Sequence, residues 1–181
     1  MRSVYLPRGN EFGAFTVSRS SGSNRRAVVG TPHTEADLQT LDPYSFLAEH
    51  PDLSMTMAPL PDGERGRWYP DLHVILISDR LSQAERRCTL AHELVHRMRG
   101  DLHVADDLMR NRIERSCHLI AARLLIPLPD LVQAMLWSQE PAEVAEQLWV
   151  DLETLQTRVE TLHPAERGYL RRRLATKEMT A

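Results

Sequence analysis

His92-Glu93-Leu94-Val95-His96 is an H-E-x-x-H sequence whose spacing carries a specific chemistry when the segment is helical. Residues four apart on an α-helix lie about 40° apart around the axis and about 6 Å along it. Both imidazoles then face one side and can share one metal ion. Glu93 stands beside them, able to reach a water on that metal without ligating it. Zinc (Zn2+) suits nitrogen and oxygen donors in a tetrahedral set, lowers the pKa of its water towards about 7, and leaves a neighbouring carboxylate to accept the proton. Two histidines on a helix are also an ordinary polar surface, so the surroundings of the motif decide between the readings.

A catalytic zinc site needs a third protein ligand. His103 lies one position away from a long H-E-x-x-H-x-x-G-x-x-H pattern, which would need Gly at 99 and His at 102 where the chain has Arg99 and Leu102. Asp101, Asp106 and Asp107 read as loop solvation and helix capping. Glu114 sits among Ile113, Cys117, Ile120, Ala121 and Leu124, which recur at helical spacing, so its carboxylate lies on the edge of a buried face. An unpaired carboxylate there is costly, and a metal would satisfy it; the plainer alternative is an ion pair with Arg110 or Arg115. His118, one turn after Glu114, could ligate, orient that carboxylate, donate to a developing oxyanion, or simply face solvent. Cys88, one turn before His92, reads as a buried free thiol.

The elements that must position these groups are also readable. Ser82-Gln83-Ala84-Glu85 matches a capping box and starts a helix that runs through His96 to Gly100, a terminating glycine. A second long helix is expected from about Asp106 to Ile126, stopped by Pro127 and Pro129. Shorter helices are expected over 129–138, 141–148, 152–162 and 164–175, and one over Tyr44–Glu49 after Pro43. Leu53–Leu60 alternates as a strand, PDGERG over 61–66 is turn chemistry, and Trp68-Tyr69 with Leu72–Ile77 makes further strand broken at Pro70-Asp71. A few strands followed by many helices define an α+β architecture, here with a short antiparallel sheet and an active-site helix. Residues 8–34 are rich in Arg, Ser, Gly and Asn and read as a surface segment, with a hairpin pairing Phe12–Val17 and Arg26–Val29 as the alternative.

With 181 residues, 42% hydrophobic and 26% charged, the chain can bury a core without a metal or disulfide to hold it. A net charge of -3 excludes a basic nucleic-acid-binding coat over the whole chain. There is no apolar run of membrane-spanning length and no signal-like N-terminus, so a cytoplasmic protein with reduced Cys88 and Cys117 is expected, with no membrane partner.

Two stretches carry a family resemblance: Arg86 through His96, reading R-R-C-T-L-A-H-E-L-V-H, and Glu114-Arg115 followed by Ala121-Ala122-Arg123-Leu124-Leu125-Ile126-Pro127. They resemble the ImmA/IrrE zinc metallo-endopeptidases over about residues 53–130, with the strand over 66–77 in the usual place; Cys117 and His118 stand where that family commonly has Ala and Asn or Asp. The resemblance implies a zincin-like core over 43–130, a variable N-terminal segment over 1–42 and a helical C-terminal extension over 131–181. It also implies His92, His96 and Glu114 as metal ligands, Glu93 as acid/base, and a protein substrate that is a transcriptional repressor, often in a phage or mobile-element setting.

The C-terminal segment invites a different class. Ala142–Leu148, a break at Trp149-Val150-Asp151 and Leu152–Leu162 look like a helix-turn-helix, but Trp149 occupies a turn position that favours a small residue. Glu153 and Glu160 against Arg158 are a poor charge balance for a groove-entering helix, and Arg171-Arg172-Arg173 reads as a solvated face. Leu131, Met135, Leu136, Leu148, Leu152, Leu155, Val159 and Leu162 form an apolar stripe that should pack on the core. The competing function is thus a regulatory binding module with a structural or vestigial metal site. A structural site needs no base, and Glu93 favours the enzyme.

Overall fold

The structure, a computed structural model, describes residues 42–100 and 106–178. The N-terminal segment before residue 42, with its alternative hairpin, and Asp101 and His103 lie outside the described residues.

The described chain is α+β: a three-stranded sheet and seven helices. Helix α1 (Pro43–Glu49) is capped by Asp42, whose carboxylate accepts from the Ser45 N–H at 3.1 Å. Strands β1 (Ser54–Ala58), β2 (Gly66–Tyr69) and β3 (Val74–Ser78) follow, with a 3-10 turn at Pro70–Leu72 where Pro70 interrupts the second stretch of strand. The strand order is β1-β3-β2, leaving β2 at an edge. The sheet is mixed, which corrects the expectation of a purely antiparallel one: β2 pairs antiparallel with β3, but β1 pairs parallel with β3, Met55 opposite Ile75. Each strand is five residues or fewer, so local alternation says where strands are and leaves their order to the packing of α2 across them. Central β3 is the apolar one, with Ile75 and Ile77 fully buried.

Helix α2 (Gln83–Arg99) carries the full capping box: the Glu85 N–H reaches Ser82 Oγ and the Ser82 N–H reaches the Glu85 carboxylate at 2.8 Å. It ends at Gly100 in the left-handed region, φ 66°, a conformation glycine adopts freely. Leu90, Ala91, Leu94 and Val95 are almost completely buried against β3 and α3 (Asp107–Leu125). Asp106 caps α3 through the Met109 N–H at 2.8 Å. The third and fourth residues of each turn of α2 thus go to the core, and the opposite edge is left for polar groups.

Helices α4 (Leu128–Trp137), α5 (Pro141–Gln147), α6 (Leu152–Glu160) and α7 (Pro164–Glu178) close the fold. Leu131, Leu155 and Leu162 of the expected stripe are buried, and Met135, Leu136, Leu148 and Val159 pack against the core. Leu152 departs from it at 54% exposure, because it is the first residue of α6, before the helix turns onto the core. Trp149 sits at φ 53°, the left-handed position expected to favour a small residue. The Arg87 guanidinium lies 5.2 Å over its indole and donates to the Leu148 and Trp149 carbonyls, which offsets a backbone cost of roughly 1–2 kcal/mol. No single helix among the described residues is long and apolar enough to cross a membrane.

Candidate active site

The outward edge of α2 carries His92 and His96, with side chains 12% and 13% exposed. Their Nε2 atoms lie 3.0 Å apart. Helix α3 brings Glu114 to the same point: Oε2 is 3.1 Å from His92 Nε2 and Oε1 is 3.5 Å from His96 Nε2. One donor atom from each residue falls within 4.8 Å of the others, so the three form a group that could hold a metal ion. The spacing can be tested against an ion: ligands about 2.05 Å from a tetrahedral zinc stand about 3.3 Å from one another, close to all three separations here. Two bare imidazole nitrogens at such a distance repel unless a cation or a proton lies between them. The three residues therefore fit a metal in both donor chemistry and distance.

The electrostatics carry the same signature. Hydrogen bonds from His92 and then His96 hold the Glu114 carboxyl well below the usual range. Burial opposes a charge on His96, but the Cys117 and Glu114 contacts outweigh it and push its pKa up to about 10. Without metal, a proton on His96 supplies the positive charge that a bound cation would bring. Arg110 and Arg115, the alternative partners for Glu114, reach Asp107 at 3.0 Å and the Asn111 carbonyl at 3.2 Å.

Glu93 lies one residue round α2 and is only 6% exposed. Burial raises its pKa to about 7, opposed by the nearby His96 charge and by a hydrogen bond from the Trp68 backbone N–H. Strand β2 can come this close because residue 66 is glycine. A Cβ there would stand 2.5 Å from Thr89 Cγ2 and 3.3 Å from Glu93 Oε1. His118 rides on the exposed side of α3 with its ring centroid 4.2 Å from that of His92, and burial with the His92 charge keeps its pKa below the ordinary value. Cys88 is buried, its sulfur accepting from the Asp151 N–H at 3.4 Å.

These groups line one open cleft of about 640 Å³, walled on one side by β2 and the turn before it. The other wall includes the start of α6, through Asp151, Glu153 and Thr154. That contribution was not expected from the sequence. Arg65 fastens this wall, reaching Asp151 at 2.5 Å, Glu153 at 3.0 Å and Glu85 at 3.6 Å. Gly66 and the Trp68 N–H were also missed; an isolated glycine at the start of a strand, a mark of close backbone approach, is the signal that could have flagged the first.

A small α+β domain with paired helical histidines, a carboxylate from a following helix and a buried glutamate between them has the architecture of a zincin-like metallopeptidase domain. The sequence profile of Peptidase_M78, the IrrE N-terminal-like domain, matches residues 52–160, and the chain belongs to that family. It is similar to the radiation response metalloprotease IrrE of Deinococcus deserti, 33% identical over 102 residues that cover 51% of this chain and 36% of that protein. A Mycobacterium tuberculosis transcriptional regulator shares the fold, with a TM-score of 0.53 at 18% identity over 74% of this chain and 43% of its own. The chain thus spans less than half the length of each of these two relatives.

Proposed function

We propose that the protein is a zinc-dependent endopeptidase hydrolysing peptide bonds in a protein partner, with His92, His96 and Glu114 holding the metal and Glu93 handling the proton. The carrying observation is the triangle of His92, His96 and Glu114 donor atoms at tetrahedral spacing beside a buried glutamate that is not one of its corners. Zinc, when bound, supplies Lewis acidity for the scissile carbonyl and for water. Glu93 takes a proton from the attacking water and returns it to the leaving amide nitrogen, a role that favours a carboxyl poised near neutrality. His118, on the rim beside His92, donates to the oxyanion.

Strand β2 is a sheet edge that lines the cleft, so an extended segment can add to it through main-chain hydrogen bonds. The Trp68 N–H on that strand bonds to Glu93, so the group that moves the proton is tied to the strand that aligns the substrate. Such a cleft favours an unfolded or linker segment over a compact domain. The partner class, a repressor-type regulator with a flexible linker, rests on the family resemblance. DNA is a poor alternative ligand, because the first turn of α6, which a helix-turn-helix would offer to a groove, faces the cleft.

The test is incubation of the zinc-loaded protein with a linker-bearing repressor. Cleavage at one or a few linker bonds is expected, blocked by chelator, restored by zinc and absent in Glu93→Gln. Indiscriminate digestion of casein would make it a general peptidase. No hydrolysis of either would favour the binding module.

A further inference from the structure

The two histidines of the metal group are supported unequally. His92 Nδ1 is buried and has no hydrogen-bond partner among the described residues. His96 Nδ1 faces the sulfur of Cys117 at 3.5 Å. Cys117 is completely buried and sits three residues after Glu114 on α3, on the same side of that helix. One helix therefore brackets the His96 ring, with the Glu114 carboxylate at Nε2 and the Cys117 sulfur at Nδ1.

An imidazole that ligates through Nε2 must carry its proton on Nδ1, and whatever accepts that proton fixes the tautomer and the ring plane. We propose that Cys117 is the positioning residue for His96: its sulfur accepts the Nδ1–H and so holds Nε2 towards His92 and Glu114. Sulfur is a weak acceptor, so the bond acts by holding the plane of a ring whose Nδ1 must already carry the proton, more than by its own strength. This inference rests on the reading of His92, His96 and Glu114 as the metal centre.

The experiment measures zinc affinity of the full chain by competition with a chromophoric chelator, for wild type, Cys117→Ser and Cys117→Val. Serine keeps an acceptor; valine keeps bulk without one. Valine should weaken zinc about 10–100-fold and serine should remain close to wild type, as expected when an outer partner of a ligand is lost or retained. Nitrogen-15 spectra of the zinc-loaded proteins should show the His96 Nδ1–H hydrogen-bonded and slow to exchange in wild type and serine variants, and unbonded and faster to exchange in the valine variant. Matched melting of the metal-free proteins separates this from misfolding, and Cys117→Ala replaces valine should the latter fail to pack. Equal zinc affinity in wild type and valine variants, or equal loss in valine and serine, would overturn the role of the sulfur while leaving the metal centre standing. Absence of zinc binding in wild type would overturn the metal centre, and this inference with it.

Discussion

Two side chains that are normally charged lie buried in this fold, in different regions and in opposite states. Arg158 of α6 is 3% exposed and fully partnered: Nε donates to the Ile126 carbonyl at 2.9 Å, and the two terminal nitrogens reach Glu166 at 3.3 and 2.7 Å. Glu93 of α2 is 6% exposed and has a backbone N–H and neighbouring imidazoles, with no Lys or Arg ion pair among the described residues. The first arrangement spends a buried charge on joining α6 and α7 to the corner where α3 ends. The second leaves a carboxyl whose proton is easily exchanged, beside a cluster of metal-type donors. A buried ion that is saturated with partners is structural, whereas one held near its neutral state in a cleft is available for chemistry.

Replacing each group should separate these roles, and the largest effect belongs to the cleft. Glu93→Gln should lower proteolysis by 10²–10⁴-fold, the range expected for removing a general base, read as initial rates on a cleaved partner. Its metal-free fold should be as stable as wild type or more so, since a neutral amide removes the cost of burying the carboxylate. Loss of stability without loss of rate would reverse the comparison.

Arg158→Ala should do the converse. Losing its charged hydrogen bonds, one of them to the Ile126 carbonyl, should cost about 1.5–3 kcal/mol, since Glu166 is left partly exposed, measured by denaturant unfolding, with zinc stoichiometry unchanged in the folded fraction. Gly66→Ala falls between the regions. Its Cβ would meet Thr89 Cγ2 at 2.5 Å, so β2 must move off α2, at a cost of roughly 1–3 kcal/mol of stability. Activity should fall as well, because the same strand carries the Trp68 N–H to Glu93.

The smallest effect concerns pH. The Arg158 hydrogen bond holds the Glu166 carboxyl below its ordinary value, with burial opposing. That stabilisation is fully present above the unfolded carboxyl's pKa of about 4.3 and is lost as pH falls through the lower folded value. Glu166→Gln should therefore destabilise the protein at neutral pH and converge with wild type in acid, as read from unfolding midpoints across that range.

The comparison also shows which parts were legible in the sequence. His92, Glu93 and His96 are local to one helix, and Ser82, Glu85 and Gly100 mark its ends, so both motif and element could be read directly. Glu114 was accessible because a carboxylate on the edge of an apolar stripe needs a partner. Arg158 entered only in the charge balance of a groove-entering helix, yet it is buried: its partners at Ile126 and Glu166 come from other elements, which periodicity within α6 cannot supply. The sheet order failed for the same reason, since the parallel β1–β3 pairing is decided by what packs across it. The cleft wall at Asp151, Glu153 and Thr154 depends on the long-range clamp from Arg65.

In the proposed mechanism Glu93 stands beside the metal centre without belonging to it. Zinc equivalents per chain, measured by elemental analysis after chelator stripping and reloading, test this directly in wild type, Glu93→Gln and His92→Ala. One equivalent is expected in wild type, one in Glu93→Gln and none in His92→Ala. Loss of zinc from Glu93→Gln as complete as from His92→Ala would contradict it.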